Sequence, residues 1–176
     1  DKDFDKKVDR TKNRPIPSGR ISTQESFVYI VLLCLVAFII LIQFNFLTII
    51  LGLLSIPLAF SYPYMKRLTY WPQFFLGLTF NWGILLGWTA LKGEISLEPI
   101  LLYIAAIFWT LGYDTIYGFQ DIYDDEIIGV KSTSIKFKEN YKFFIGLCYL
   151  TCALFLIILG FLEENKMYYF TFLIFP

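Results

Sequence analysis

Histidine is absent from the chain, and cysteine is scarce. The 176 residues include three cysteines, Cys34, Cys148 and Cys152, all within apolar runs. An odd number of thiols in such surroundings, with no histidine, argues against both a disulfide framework and a Cys/His metal site. Cys148 and Cys152 share one face of a predicted helix, where we interpret them as small packing residues.

Charge is also scarce, and it is unevenly distributed. Only 17% of the residues are charged, whereas 57% are hydrophobic and 20% are aromatic, which is too apolar for a soluble domain of this length. No charged residue occurs in 26–65, 68–91 or 143–162. Because one membrane span takes about 20 apolar residues, the first interval accommodates two spans and the others one each.

Turn residues and charges divide the apolar runs into helices. The predicted helices lie near 27–44, 46–62, 74–91, 98–120 and 143–162, and a sixth begins near 167. Continuous runs of Leu, Ile and Phe lack the alternation of barrel strands, so only helices would satisfy the backbone in lipid. The predicted fold class is all-α, a polytopic transmembrane helix bundle with about five complete spans and a partial sixth. Since the chain opens in a charged segment without Met and closes in an apolar run, we expect it to be part of a larger bundle.

Basic residues predict the orientation of this bundle. Segments 1–26, 63–73 and 121–142 hold 13 of the 15 Lys and Arg residues, whereas the alternate loops hold the other two. By the positive-inside rule the three basic segments are cytoplasmic. Five spans then alternate across the membrane without conflict.

The first basic segment also carries a series of acids. Asp1, Asp5 and Asp9 follow one another at i, i+4 spacing, so they share one face if the stretch is helical. A solvated helix face is the alternative interpretation of this series seen alone.

A second acidic series follows the fourth predicted span. Asp114, Tyr117, Asp121 and Asp125 advance by three, four and four residues, which predicts one helical stripe that continues directly from the span. Carboxylates on one face repel each other, oppose the helix dipole at a C-terminus and are costly at a membrane boundary. We therefore expect a cation between them.

Oxygen ligands without His or Cys suit a hard cation such as Mg²⁺, which keeps water and substrate phosphate in its coordination shell. Two acidic clusters on one membrane face could hold a diphosphate through bridging metal ions. Lys66 and Arg67, in the predicted loop after the second span, are candidate ligands of its oxygens, and an ordinary positive-inside anchor is the alternative. The same alternatives apply to Arg10, Lys12 and Arg14.

These features together resemble the UbiA superfamily of intramembrane prenyltransferases. Its pattern is Asn-Asp-x-x-Asp-x-x-x-Asp early in the chain and Asp-x-x-x-Asp later. Asp1 and Asp5 resemble the last two aspartates of the first motif, and Asp121 and Asp125 match the second. Segments 9–19 and 129–133 are similar to those that follow the two motifs in the superfamily.

Segment 62–83 looks most like the branch that prenylates 4-hydroxybenzoate in ubiquinone synthesis. Branches that use a menaquinone precursor, homogentisate or haem share the aspartate motifs, so these acceptors remain open. A transporter or channel subunit is the alternative from another class, although it would favour acids near mid-span and inverted repeats.

The resemblance implies nine helices around a central cavity, with residues 1–176 a fragment of a single transmembrane prenyltransferase domain. Segments 1–26 and 114–142 would be its cytoplasmic aspartate-motif segments. It further implies a polyprenyl diphosphate donor, an aromatic acceptor, contact with membrane lipid and no nucleic acid. A bacterial inner membrane with the active site on the cytoplasmic side is the expected location.

The resemblance also implies residue roles. Mg²⁺ would be held by Asp1, Asp5, Asp121 and Asp125. The remaining charge of the diphosphate would be neutralised by Lys66, Arg67 and Lys131. Candidates that bind or orient the acceptor are Lys2, Asn81, Asp114 and Asp124, and the aromatic side chain expected near the reacting carbon is Tyr117 on the acidic stripe.

Overall fold

The computed structural model describes residues 2–6, 11–163 and 166–174, and its regular structure within those ranges is helical. The helices are α1 (Lys2–Asp5), α2 (Thr23–Leu41), α3 (Phe46–Leu68), α4 (Pro72–Phe80), α5 (Gly83–Lys92), α6 (Leu97–Gly118), α7 (Ile122–Ile128), α8 (Thr133–Lys136), α9 (Tyr141–Leu162) and α10 (Lys166–Ile174). Within these described ranges, five segments are long and apolar enough to cross a membrane: α2, α3, α4 with α5, α6 and α9. The all-α polytopic bundle is thus confirmed.

Helix ends differ from the predicted ones where capping residues act. α2 begins at Thr23 because Ser22 and Glu25 form a capping box, in which Ser22 Oγ accepts the Glu25 N–H at 3.1 Å and Glu25 Oε2 accepts the Ser22 N–H at 2.8 Å. α3 continues six residues beyond the predicted end at 62, through Pro63, to Leu68. The prediction of a loop around Lys66 and Arg67 was therefore wrong, since both lie in the last turn of α3.

The centre of the bundle is α6, which packs against α9 and against α4 and α5, and α3 in turn packs against α4 and α5. One apolar core joins α6 to the first half of the bundle through Leu51, Leu85, Tyr103 and Ile107. A second joins α6 to α9 through Leu111, Phe144 and Cys148. Burial of Cys148 and Cys152 agrees with their interpretation as packing residues. α2 buries none of its residues.

The third span is broken, where one helix over 74–91 was predicted. α4 ends at Phe80 and α5 begins at Gly83, and Asn81 occupies the break. Asn81 Nδ2 donates to the Gly77 carbonyl at 2.9 Å, and across to α6 it donates to the Ala106 carbonyl at 3.1 Å and Thr110 Oγ1 at 2.8 Å.

Two further side chains support the break. Tyr103 OH donates to the Leu78 carbonyl at 2.7 Å, and Trp82 Nε1 donates to the Leu51 carbonyl at 2.9 Å. A helix break within an apolar medium is tolerated only when neighbouring helices satisfy the released backbone groups. Tyr103 of α6 does so here for the Leu78 carbonyl, and the side chains of Asn81 and Trp82 hydrogen-bond the break to α6 and α3.

Asn81→Leu should destabilise the bundle. The substitution removes the three Nδ2 hydrogen bonds, two of which join the break to α6, and each lost bond costs about 0.5–1.5 kcal/mol. Thermal unfolding of the detergent-solubilised protein measures this effect. Gln43→Leu, which changes an exposed amide with one local bond to the Ile39 carbonyl, is the matched control. Equal unfolding temperatures for the two variants would show that Asn81 does not hold the break.

Candidate functional site

A cavity of about 380 Å³ lies at one end of the bundle, where the three basic segments meet. It is bounded by the N-terminal segment, by the end of α3 and the start of α4, and by the chain from the end of α6 to Ser132. The lining side chains that carry charge are Asp5, Arg14, Lys66, Asp114, Asp121, Asp125 and Lys131. The other lining residues include Thr11, Tyr62, Gln73, Tyr117, Gly118 and Ser132.

The second acidic series reaches this cavity from a broken helix. α6 ends at Gly118, residues 119–121 form a turn, and Asp121 caps the short helix α7. The prediction of one continuous helical stripe was therefore wrong. Asp114, Tyr117, Asp121 and Asp125 nevertheless all line the cavity, because the turn redirects α7 across the open end.

Gly118 permits a close approach that shapes the cavity wall. A β-carbon at this position would overlap Ser134 Oγ, which donates to the Thr115 carbonyl at 2.8 Å. Thr115 Oγ1 and Thr133 Oγ1 are 2.6 Å apart. These polar groups, all buried, bind the start of α8 to the end of α6.

The segment between α7 and α8 is attached to α3. Gly129 adopts φ 78°, a left-handed conformation that ends α7 and that glycine adopts without strain. The chain then returns, and the Lys131 N–H donates to the Lys66 carbonyl at 2.7 Å. Lys131 Nζ donates to the Leu68 carbonyl at 3.3 Å and lies 5.6 Å from the Tyr70 ring centroid. Lys66 and Lys131 are thus held side by side.

Opposite charges alternate around the cavity. Arg14 Nη1 lies 3.4 Å from Asp5 Oδ2, and Thr11 Oγ1 donates to the Asp5 carbonyl at 2.8 Å. Lys66 lies within electrostatic range of both Asp5 and Asp125. Such a site can accommodate an anion and a cation together.

Several predicted site residues lie away from the described cavity. Arg67 is exposed, with its guanidinium carbon 5.9 Å from the Tyr64 ring centroid, and Lys2 is exposed on α1. Asp124 is half-buried on α7 but does not line the cavity. The amide of Asn81 is engaged in the helix break described above. Asp1 and Asp9 lie outside the described residues.

Gln73 and Thr11 line the cavity, and neither was predicted from the sequence to be a site residue. Gln73 had a recognisable signal, because it is a polar residue at the start of an otherwise apolar helix, and such residues are costly in a membrane unless they have a partner. Thr11 had none, since nothing in the sequence shows that residues 11–14 fold back over the bundle.

The cavity contains side-chain oxygens of the type that bind a divalent cation. Asp5, Asp114, Asp121 and Asp125 supply carboxylate oxygens, the ligands preferred by hard cations. Within the part of the chain that the structure describes, no three acidic side chains form a ready metal-binding group. A cation there would need additional oxygens from a bound ligand.

The sequence profile of the UbiA prenyltransferase family matches residues 1–176. The mitochondrial 4-hydroxybenzoate polyprenyltransferase of Rattus norvegicus is 52% identical over 143 residues, which cover 81% of this chain and 38% of that protein. That of Arabidopsis thaliana is 51% identical over 146 residues, with 82% and 36% covered.

A plant relative, 4-hydroxybenzoate geranyltransferase 2 of Lithospermum erythrorhizon, is 44% identical over 176 residues, which cover 98% of this chain and 57% of that protein. The chain thus spans less than two thirds of the length of each of these three relatives. No solved structure matches it.

Gly118→Ala should destabilise the cavity wall. The added methyl group must displace Ser134, which is fully buried, and overpacking of this kind costs about 1–3 kcal/mol. Gly87→Ala is the matched control, because a β-carbon there meets nothing within 4 Å and alanine is the better helix former. Thermal unfolding should show a lower midpoint for the first variant and an equal or higher one for the second. A Gly118→Ala midpoint equal to that of Gly87→Ala would contradict the close approach.

Proposed function

The chain belongs to the UbiA prenyltransferase family, and we propose that its cavity activates a polyprenyl diphosphate for transfer of the prenyl group to the ring of 4-hydroxybenzoate in ubiquinone synthesis. The observation that carries this proposal is the meeting of four carboxylates and three basic side chains at one end of an apolar bundle. The choice of acceptor is supported by the names of the relatives, which are 4-hydroxybenzoate polyprenyltransferases and a 4-hydroxybenzoate geranyltransferase.

The basic side chains would bind the diphosphate. Lys66, Lys131 and Arg14 line the cavity from three segments, so they can contact different oxygens of one polyanion. As the carbon–oxygen bond breaks, its electron pair remains on the diphosphate, and the same cations stabilise the negative charge that develops there.

Members of the family generally depend on a divalent metal ion, and we propose Mg²⁺. Asp5, Asp121 and Asp125 would hold it, together with Asp1, whose position is not described. When bound, the metal ion supplies positive charge that stabilises the leaving diphosphate. The excess of carboxylates over basic side chains among the described lining residues supports this assignment.

The allylic cation that remains would need protection from water. Tyr62 and Tyr117 line the cavity, and their ring faces can stabilise the positive charge. The acceptor ring carbon ortho to the hydroxyl would then form the new carbon–carbon bond and lose a proton. Asp114, which lines the cavity and lies within electrostatic range of Tyr62, is the proposed acceptor of that proton.

We propose that the site faces the side of the membrane that carries the basic loops. In a bacterial inner membrane, the location expected from the sequence, this is the cytoplasmic side. Relatives are named as mitochondrial 4-hydroxybenzoate polyprenyltransferases, so a mitochondrial location is the alternative. The other residues predicted to bind a substrate do not line the described cavity, and any contact with a substrate would lie outside it: Arg67, Lys2, Asp124 and Asn81.

Asp125→Asn or Asp121→Asn should lower prenyl transfer by about 100-fold or more, because each removes a charged oxygen ligand of the cation. The assay follows a labelled polyprenyl chain into 4-hydroxybenzoate in membranes that carry the full gene product, over a range of Mg²⁺ concentrations. Glu126→Gln is the matched control, since Glu126 is on the same helix but is exposed and paired with Lys138. Full activity of both Asp variants would refute the metal assignment, and transfer to another acceptor of a panel without transfer to 4-hydroxybenzoate would refute the choice of 4-hydroxybenzoate.

Lys66→Gln should raise the KM for polyprenyl diphosphate by about tenfold or more, as expected for a lost hydrogen bond to a charged oxygen. Arg67→Gln should have a smaller effect, because Arg67 is exposed and does not line the cavity. The two neighbours carry the same charge, so their comparison separates direct contact from general electrostatic attraction. Equal increases in KM would mean that diphosphate binding depends only on the net charge at the cavity end of the bundle and not on a direct contact with Lys66.

A further inference from the structure

Gln73 is the buried primary amide of the cavity. It is 6% exposed, it lines the cavity, and its neighbours along α4 are apolar. A buried amide costs free energy unless both its oxygen and its nitrogen find partners. The positions of those two atoms therefore indicate what the side chain binds.

The oxygen of Gln73 has an assigned partner. Gln73 Oε1 accepts the Thr133 N–H at 3.0 Å, in a buried hydrogen bond that joins α4 to the start of α8. A backbone N–H can only donate, so the oxygen must face Thr133 and the amide cannot be turned over. The Nε2 atom is thereby fixed on the other side.

The nitrogen of Gln73 lies at the cavity wall. Nε2 is 3.6 Å from the position that a β-carbon on Gly118 would occupy, and Gly118 lines the cavity. Across the described part of the chain, Nε2 donates no hydrogen bond. By contrast, the amide nitrogen of Asn81 already has three acceptors.

We propose that Gln73 Nε2 donates a hydrogen bond to an anionic oxygen of a substrate bound in the cavity. The inference rests on the proposed function and adds a specific ligand to it. An uncharged donor at this depth can bind an oxyanion without the desolvation cost of a buried cation, and hydrogen bonds to charged oxygens are the stronger ones. The oxygen belongs either to the diphosphate of the donor or to the carboxylate of the acceptor.

Gln73→Glu tests the inference because it keeps an oxygen for the Thr133 N–H and replaces the NH₂ donor by a negatively charged oxygen. We expect the KM for one anionic substrate to rise at least about tenfold, with a smaller change in kcat. A rise for polyprenyl diphosphate assigns Gln73 to the diphosphate, and a rise for 4-hydroxybenzoate assigns it to the acceptor carboxylate. Gln120→Glu introduces the same charge at an exposed position near the cavity and is the matched control.

Values of both KM constants within twofold of those of Gln120→Glu would overturn the inference and leave Gln73 as a tether of Thr133 alone. If Gln73→Glu does not fold, Gln73→Met is compared with Ser134→Ala, which loosens the same segment without a change in the cavity lining. Equal KM values for those two variants would also overturn it.

Absence of prenyl transfer by the unmodified full-length protein would instead contradict the proposed function. In that case the inference is decided by direct binding of inorganic pyrophosphate and of 4-hydroxybenzoate to the unmodified protein and to Gln73→Glu. At least about tenfold weaker binding of one probe to the variant would support the donor role, and unchanged binding of both would refute it.

Discussion

Polar groups inside an apolar bundle must be paired within the protein, and the structure depends on how this requirement is met. The third span breaks where the side chains of Asn81, Trp82 and Tyr103 donate hydrogen bonds to carbonyls of neighbouring helices. At the α2–α3 turn Asn45 meets the same need, since its Oδ1 accepts the Thr48 N–H at 3.0 Å and its Nδ2 donates to the Thr89 carbonyl at 2.6 Å. Side-chain amides and hydroxyls thus determine where helices end and which helices touch.

The spans could be predicted from the sequence because charge is excluded from hydrocarbon along the whole length of a helix. Their interruptions could not. Asn81 and Trp82 stand in an apolar run, and the acceptors that make the break stable, the Ala106 carbonyl and Thr110, are 25 and 29 residues further along the chain. The need for glycine at position 118 similarly comes from Ser134, which occupies the space that a side chain would need. Both features depend on tertiary contacts, and a local pattern does not contain them.

The site could be predicted as a set of charges but only partly as a geometry. The acids on both sides of Gly118 share a cavity even though their helix is interrupted, so i, i+4 spacing grouped residues that do lie together, although not on one helical stripe. Lys66 and Arg67 are indistinguishable in sequence, yet the extension of α3 past Pro63 places them at successive helical positions, which point in directions about 100° apart. Gln73 acquires its place from Thr133, 60 residues away.

Charge balance then limits what the cavity can hold. Its described lining has four carboxylates and three basic side chains, so a diphosphate alone would be repelled by the acids, and a divalent cation alone would meet the basic residues. Each ligand makes the site more favourable for the other, because the cation offsets the carboxylates and the anion completes the coordination of the cation. The absence of a preformed metal group among the described acids is consistent with this mutual dependence. Under the proposed function, such a site would favour a metal–diphosphate complex over either component, and the charge of the departing diphosphate would develop where it is already compensated.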